Sequence, residues 1–496
     1  MSHHKLLPPA ALAAAAALLL SGCFAADTGS TDSADRRIRL VMMQPPRSAL
    51  SPLSDDAFKL SRWSAAETLV NLDADGDAEP ALAASWTRTN PTTWEFTIRK
   101  AVKFHDGTEL TATAVKRSLD AAASAAPKPR ILDGVTLTTT AAQGDTVTVT
   151  TAAADPLLPQ RLSSPQLSIL AERAYTGKTV NPVGAGTGAF VLKSVNGTSS
   201  AVLDRNEHYW GGRAKAAGID VSFVPDGTAR AAALRSGEAD LVESVPVSQA
   251  ALVPPERLSE VPMPRTNTLY LNTSRGVFAD PGLRAAARAA IDTGSLVRGV
   301  YEGRADAAAG LLGPALPWAA KRRGRTAPTA PATPSGQTVT IGTFTDRAEL
   351  PEVAAALQQQ LQHAGFTVQL DVREYANIEK DALAGKFDAF VLSRATVLDS
   401  GDPVAYLRSD FGSEGSFNLS RLRDPAVDRA IALAEAAEPG DERRAAVLDA
   451  ESAVLNTDAA VPMLHERVIQ GSSAALTGAA RDPRERRLVT LDTHLK

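Results

Sequence analysis

The chain is 496 residues long, with 44% hydrophobic and 22% charged residues, which excludes a disordered protein and implies two or three globular domains. A net charge of −4 supplies no basic face for nucleic acid, and the seven histidines include no pair at metal-ligand spacing. Aromatic residues, at 5%, leave few rings to stack on a ligand.

The chain opens with His3, His4 and Lys5, followed by an apolar run of eleven residues from Ala10 to Leu20. A bilayer-spanning helix needs about 20 residues, so the run suits an export signal over residues 1–22. It ends in "LSGC", which resembles the bacterial lipobox. Cys23 is the one cysteine of the chain, so an intrachain disulfide is excluded and Cys23 is the expected lipidation site. Two acyl chains anchor a protein stably, whereas one binds only marginally. Residues 23–37 read as a flexible tether, which places the folded part on the outer face of the cell membrane.

"RIRLVMM" from Arg37 predicts a buried strand closed by "QPP", which contains Gln44. Leu60, Trp63 and Glu67 recur at helical spacing. "TWEFTI" alternates like a half-buried strand and is followed by "HDG", a turn signal in which His105 reads as a satisfied turn or surface histidine. "TATAVKRSLDAAASAA" predicts a helix capped by Thr111 or Thr113, and "DTVTVTT" predicts a strand. Further on, Asp280 and Pro281 form a helix start. Lys321–Gln337 is basic and then rich in proline, threonine and alanine, which reads as a solvated surface excursion. "QTVTIGTF", "LPEVAAALQQQLQHAG", "FTVQLDV", a short helix near Ile378–Leu383 and "FDAFVLS" form a β-α-β-α-β run. Such a run predicts a mostly parallel sheet, with ligands at the carboxyl ends of its strands. The loop "RATVLDSGDP" leaves one of those ends.

Seven blocks in order, among them "AETLVNLDADGDAEPALAASW", "GAGTGAFVLKSV", "LDRNEHYWGG", "VPDGTARAAALRSGEADLV" and "TLYLNTSRGVFADPGLRAAARAAID", resemble the extracytoplasmic solute-binding proteins of family 5. These are peptide, nickel and related receptors of ABC importers. The resemblance implies an α/β, two-lobed periplasmic-binding-protein-like fold of type II, with an extra small domain and two hinge crossings. It places lobe I at 38–80, 182–272 and 465–496, the extra domain at 81–181 and lobe II at 273–464. It also implies a monomer without a cofactor or bound metal ion, working with a permease and ATPase complex, and not an enzyme. No HExxH, GxSxG or P-loop is present.

"VLDSGDP" carries the candidate site. Asp402 before Pro403 reads as the cap of the next helix. By the resemblance, Asp399 receives the α-ammonium of a bound peptide. Thr396, Val397, Arg394 and Gln44 are further expected ligand contacts. "RAT" (Arg394–Thr396) stands where many members carry a tryptophan, which removes an aromatic wall. Short peptides are therefore the first expectation and nickel or metal chelates the second. A peptide sensor without import is a third class.

Overall fold

The computed structural model describes residues 36–141, 144–397 and 400–496. Cys23, the export signal and almost all of the tether lie outside the described residues, as does Asp399.

The first apolar run forms the strand Arg37–Met42, mostly buried because it lies parallel to Gly218–Phe223 on one side and Leu241–Val242 on the other. Ser200–Arg205 and Phe190–Asn196 extend this end of an 11-stranded sheet. At the other end, Thr338–Phe344 lies between Thr367–Arg373 and Ala389–Ala395 and runs parallel to both. The helix Glu349–His363 links the first two, burying Val353, Leu357 and Leu361 along one stripe. Gly365 closes that helix at φ +104°, a conformation L residues rarely adopt.

Two long antiparallel strands join the ends, a first crossing strand Leu258–Leu271 and a second Ala460–Ser472. The first pairs with Ala389–Ala395, and the second reaches Leu241–Val242. Their register breaks between Pro262↔Arg467 and Thr266↔His465, so Met263, Pro264 and Arg265 face Glu466 alone. Pro262 and Pro264 carry no N–H for the ladder, which suits a bulge and a bend. Buried apolar side chains gather into one cluster within Leu269–Leu464 and another within Ile38–Leu241 and Leu476–Leu495. The molecule thus has two α/β halves joined by the crossing strands. A separate antiparallel sheet, ordered Ala83–Asn90, Thr93–Ile98, Thr146–Thr151, Leu137–Ala141, sits beside the helix Ala112–Ser124, which Thr111 caps.

Three local readings change. The helix bearing Leu60 ends at Arg62, since Ser64 takes φ +51° and its hydroxyl donates to Val489 O at 2.7 Å. Glu67 instead accepts from Thr187 Oγ1, Tyr209 OH and Trp210 Nε1 at 2.7, 2.8 and 3.0 Å. The helical run after Pro281 divides into Pro281–Ala290 and Thr293–Gly299, because Asp292 starts a new helix by accepting from Ser295 N. The basic head of Lys321–Gln337 is pinned rather than solvated throughout. Arg322 pairs with Glu451 and Arg325 with Asp458, both acids being almost fully buried.

Candidate functional site

The loop after Ala389–Ala395 is fixed from its first residue. Thr396 donates to Pro264 O from its backbone N at 2.8 Å and from Oγ1 at 3.2 Å. Val397 packs into the core of the second half, and its carbonyl accepts from Gly401 N at 2.9 Å. Its side chain is 3% exposed there. Gly401, at φ +74°, lies against the other half, where an added Cβ would stand 2.4 Å from Leu72 Cδ1. Asp402 accepts from Val404 N at 2.9 Å ahead of the helix Val404–Phe411, and its carboxylate forks onto Arg443 at 2.6 and 3.2 Å.

The facing surface is the turn Asp73–Asp77, held by Asp73 Oδ1 accepting from Asp75 N and Asp77 N at 2.9 Å each. The second half grips this turn. Trp318 Nε1 donates to Asp75 O at 3.1 Å, and Arg444 pairs with Asp77. From the first half, Arg484 donates to Asp73 O and Ala74 O. Together with Gly401 these contacts form a clasp between the halves.

The hinge forms a second region. Glu466 accepts from Asn267 Nδ2 through Oε1 and from Arg347 Nη1 through Oε2, both at 3.0 Å. Arg394 forks onto fully buried Asp410 at 2.8 and 2.9 Å and lies 4.3 Å over the Phe417 ring. Burial opposes its charge, but Asp410 outweighs it and raises the Arg394 pKa. The Arg265 side chain makes no hydrogen bond or ion pair with a described residue, and its Nε is buried. Burial first, and then the charge of Arg347, lower its pKa. His465 Nδ1 lies 2.9 Å from Thr266 Oγ1, whose proton goes to Leu311 O. The imidazole is therefore the donor at Nδ1, and burial lowers its pKa to about 4. His105, whose Nε2 lies 2.9 Å from Gly188 O, is lowered to about 4 by the same cause.

Among the sequence candidates, Arg394 and Thr396 meet at the hinge and Asp402 at the clasp. Gln44 stands exposed in the other half, after the strand Arg37–Met42. Arg265, Arg347 and Glu466 were not among the candidates. The one available signal was an arginine and an asparagine interrupting the apolar run "VPMPRTNTLYL".

A family model for bacterial extracellular solute-binding proteins, family 5 (middle part), matches residues 77–418. The nickel-binding protein NikA of Staphylococcus aureus is 25% identical over 429 residues, covering 83% of this chain and 84% of that protein. The glutathione-binding protein GsiB of Salmonella paratyphi A is 24% identical over 444 residues, covering 83% and 85%. The crystal structure of NikA from Brucella suis in complex with Fe(III)-EDTA matches with a TM-score of 0.82 at 21% identity, covering 93% of this chain and 100% of that one. The two halves are accordingly the lobes of a periplasmic-binding-protein fold, and the crossing strands are its hinge.

Proposed function

This chain belongs to the bacterial extracellular solute-binding proteins of family 5, which are transport receptors rather than enzymes, and from that premise we propose that it captures short oligopeptides with a free N-terminus and delivers them to an ABC permease. The observation that carries this reading is the setting of the acidic loop. The residues before Asp399 are tied to the hinge through Pro264, and those after it are pressed into the clasp. In this reading Asp399, which lies outside the described residues, receives the ammonium group of a ligand held between the lobes. A charge-assisted hydrogen bond contributes roughly 1.5–3 kcal/mol, whereas closing a mostly open cleft takes about 5.5 kcal/mol. Contacts to the peptide backbone supply the difference, which favours tolerance of many side chains. Cys23 carries the proposed lipid anchor, and no helix among the described residues is long and apolar enough to cross a membrane.

The test is mass spectrometry of the ligand released from protein purified without refolding. Peptides are expected, with Asp399→Ala weakening them by roughly 10- to 100-fold and N-acetylation doing the same. Equal binding of acetylated and free peptides would remove Asp399 from the role. A second reading, a nickel or metal-chelate receptor, is favoured by the nickel-binding relative. Release of nickel with a small polycarboxylate would put it first.

A further inference from the structure

We infer that Arg265 is the receptor in the cleft for an anionic group of the ligand, a carboxylate, a role that rests on the ligand lying between the lobes. Arg265 sits in the hinge bulge, opposite Ala395 and next to Pro264, which holds the start of the acidic loop. Among the described residues, the acids whose charge bears on it, Glu466 and Glu485, are already engaged. Both oxygens of Glu466 are taken by Asn267 and Arg347, and both of Asp410 by Arg394. Glu485 and Glu243 are paired with Arg62.

Other arginines of this protein show what a purely structural guanidinium does here. Arg230 donates to the carbonyls of Ser244, Val224 and Pro225, and Arg284 to those of Thr457, Phe278 and Ala279. Neither has an acid partner, yet both are satisfied by backbone oxygens. Arg265 has neither kind of partner among the described residues, and the charges of Arg347 and Arg394 oppose it. A guanidinium with a sealed, unpartnered nitrogen costs folding free energy, and such breaches of local rules concentrate at functional sites. The residue is only partly buried while its Nε is sealed, so what remains accessible lies elsewhere on the side chain. A planar guanidinium fork matches a carboxylate in geometry as well as charge.

That carboxylate is either the C-terminus of a peptide or an acid group of a metal chelate, and one variant addresses both. Arg265→Met keeps the aliphatic stem and removes the charge. With free-acid tripeptides and their C-terminal amides, wild type is expected to prefer the acid by roughly tenfold or more. The variant brings acid and amide within about threefold, while N-acetylation still weakens both. If wild type binds nickel–L-histidine and no peptide, the variant loses that complex by roughly tenfold, so the peptide reading fails and the Arg265 assignment stands. In ligand-free protein, Arg265→Met is expected to melt at or above the wild-type temperature, because an unpaired charge has gone. A variant that keeps the wild-type preference for carboxylates, or that melts below wild type without ligand, overturns the assignment.

Discussion

At the clasp, the Asp73–Asp77 turn meets Trp318, Gly401 and Arg444, and the side chains that reach across the lobes are partnered: Trp318 on Asp75 O and Arg444 on Asp77, with Asp402 beside them on Arg443. At the hinge, on the other side of the same loop, the arginines divide. Arg394 and Arg347 are paired with Asp410 and Glu466, and Arg265 is not. Satisfied polar groups specify one geometry, because breaking any of them leaves a buried donor or acceptor alone. An unsatisfied cation specifies nothing by itself and gains only when something arrives. The clasp therefore fixes how the two lobes meet in this structure, and the hinge floor keeps a guanidinium that only a further group could pair.

The strongest break in this comparison comes from a paired hinge arginine. Arg394→Ala leaves the Asp410 carboxylate fully buried beside Tyr270 without its cation. The expected loss is about 3–5 kcal/mol in urea unfolding, against no loss for Arg265→Met. If the two arginines behave alike, pairing does not separate their roles.

The next effect is on pH. His465 and His105 have folded-state pKa values near 4, well below the ordinary 6.5. Between those values the unfolded chain binds protons that the folded protein refuses. Stability is thus full above pH 6.5 and falls as the pH drops towards 4, at about 1.4 kcal/mol per unit for each histidine. Unfolding midpoints at pH 7 and pH 5 measure it, and His465→Gln should flatten the profile by removing the hinge contribution.

Much of the scaffold was legible in the sequence because its signals are local. Alternation in "TWEFTI", the stripe Val353–Leu357–Leu361 and the cap Asp280 each depend on neighbours within a turn or two. The "DP" pair pointed to a helix start, and the helix begins at Val404. What escaped depends on partners far along the chain. Glu67 belongs with Thr187, Tyr209 and Trp210, and Arg322 and Arg325 with Glu451 and Asp458. Arg265 is harder still, since its distinguishing property is a missing partner, and a missing contact leaves no trace in spacing. In the loop itself, Val397 is an expected ligand contact that the structure also builds into the core, its carbonyl serving the turn to Gly401 while its side chain packs inward.

A smaller change should open the clasp without touching the hinge. Gly401→Ala combines a positive φ with a Cβ only 2.4 Å from Leu72 Cδ1, so the lobes must part or the loop must shift. The cost is about 1–3 kcal/mol, visible as a larger radius of gyration in X-ray scattering and as weaker ligand binding. An unchanged radius with unchanged affinity would show that the clasp does not set the closed shape.

The smallest effect tests whether contact between the lobes matters wherever it occurs. Arg88, on the separate antiparallel sheet, also reaches the second lobe at Glu438, at 2.6 Å, but the Glu438 side chain is 63% exposed. Arg88 keeps other support, donating to Pro91 O at 3.1 Å and lying 5.6 Å over the Trp94 ring. Exposed pairs of this kind contribute about 0–1 kcal/mol, less as salt rises. Glu438→Gln should therefore leave the scattering profile and the affinity as in wild type, at low and high salt alike. If it opens the lobes as far as Gly401→Ala does, closure depends on charge at the rim, and the clasp loses the special status that its close interlobe packing gives it.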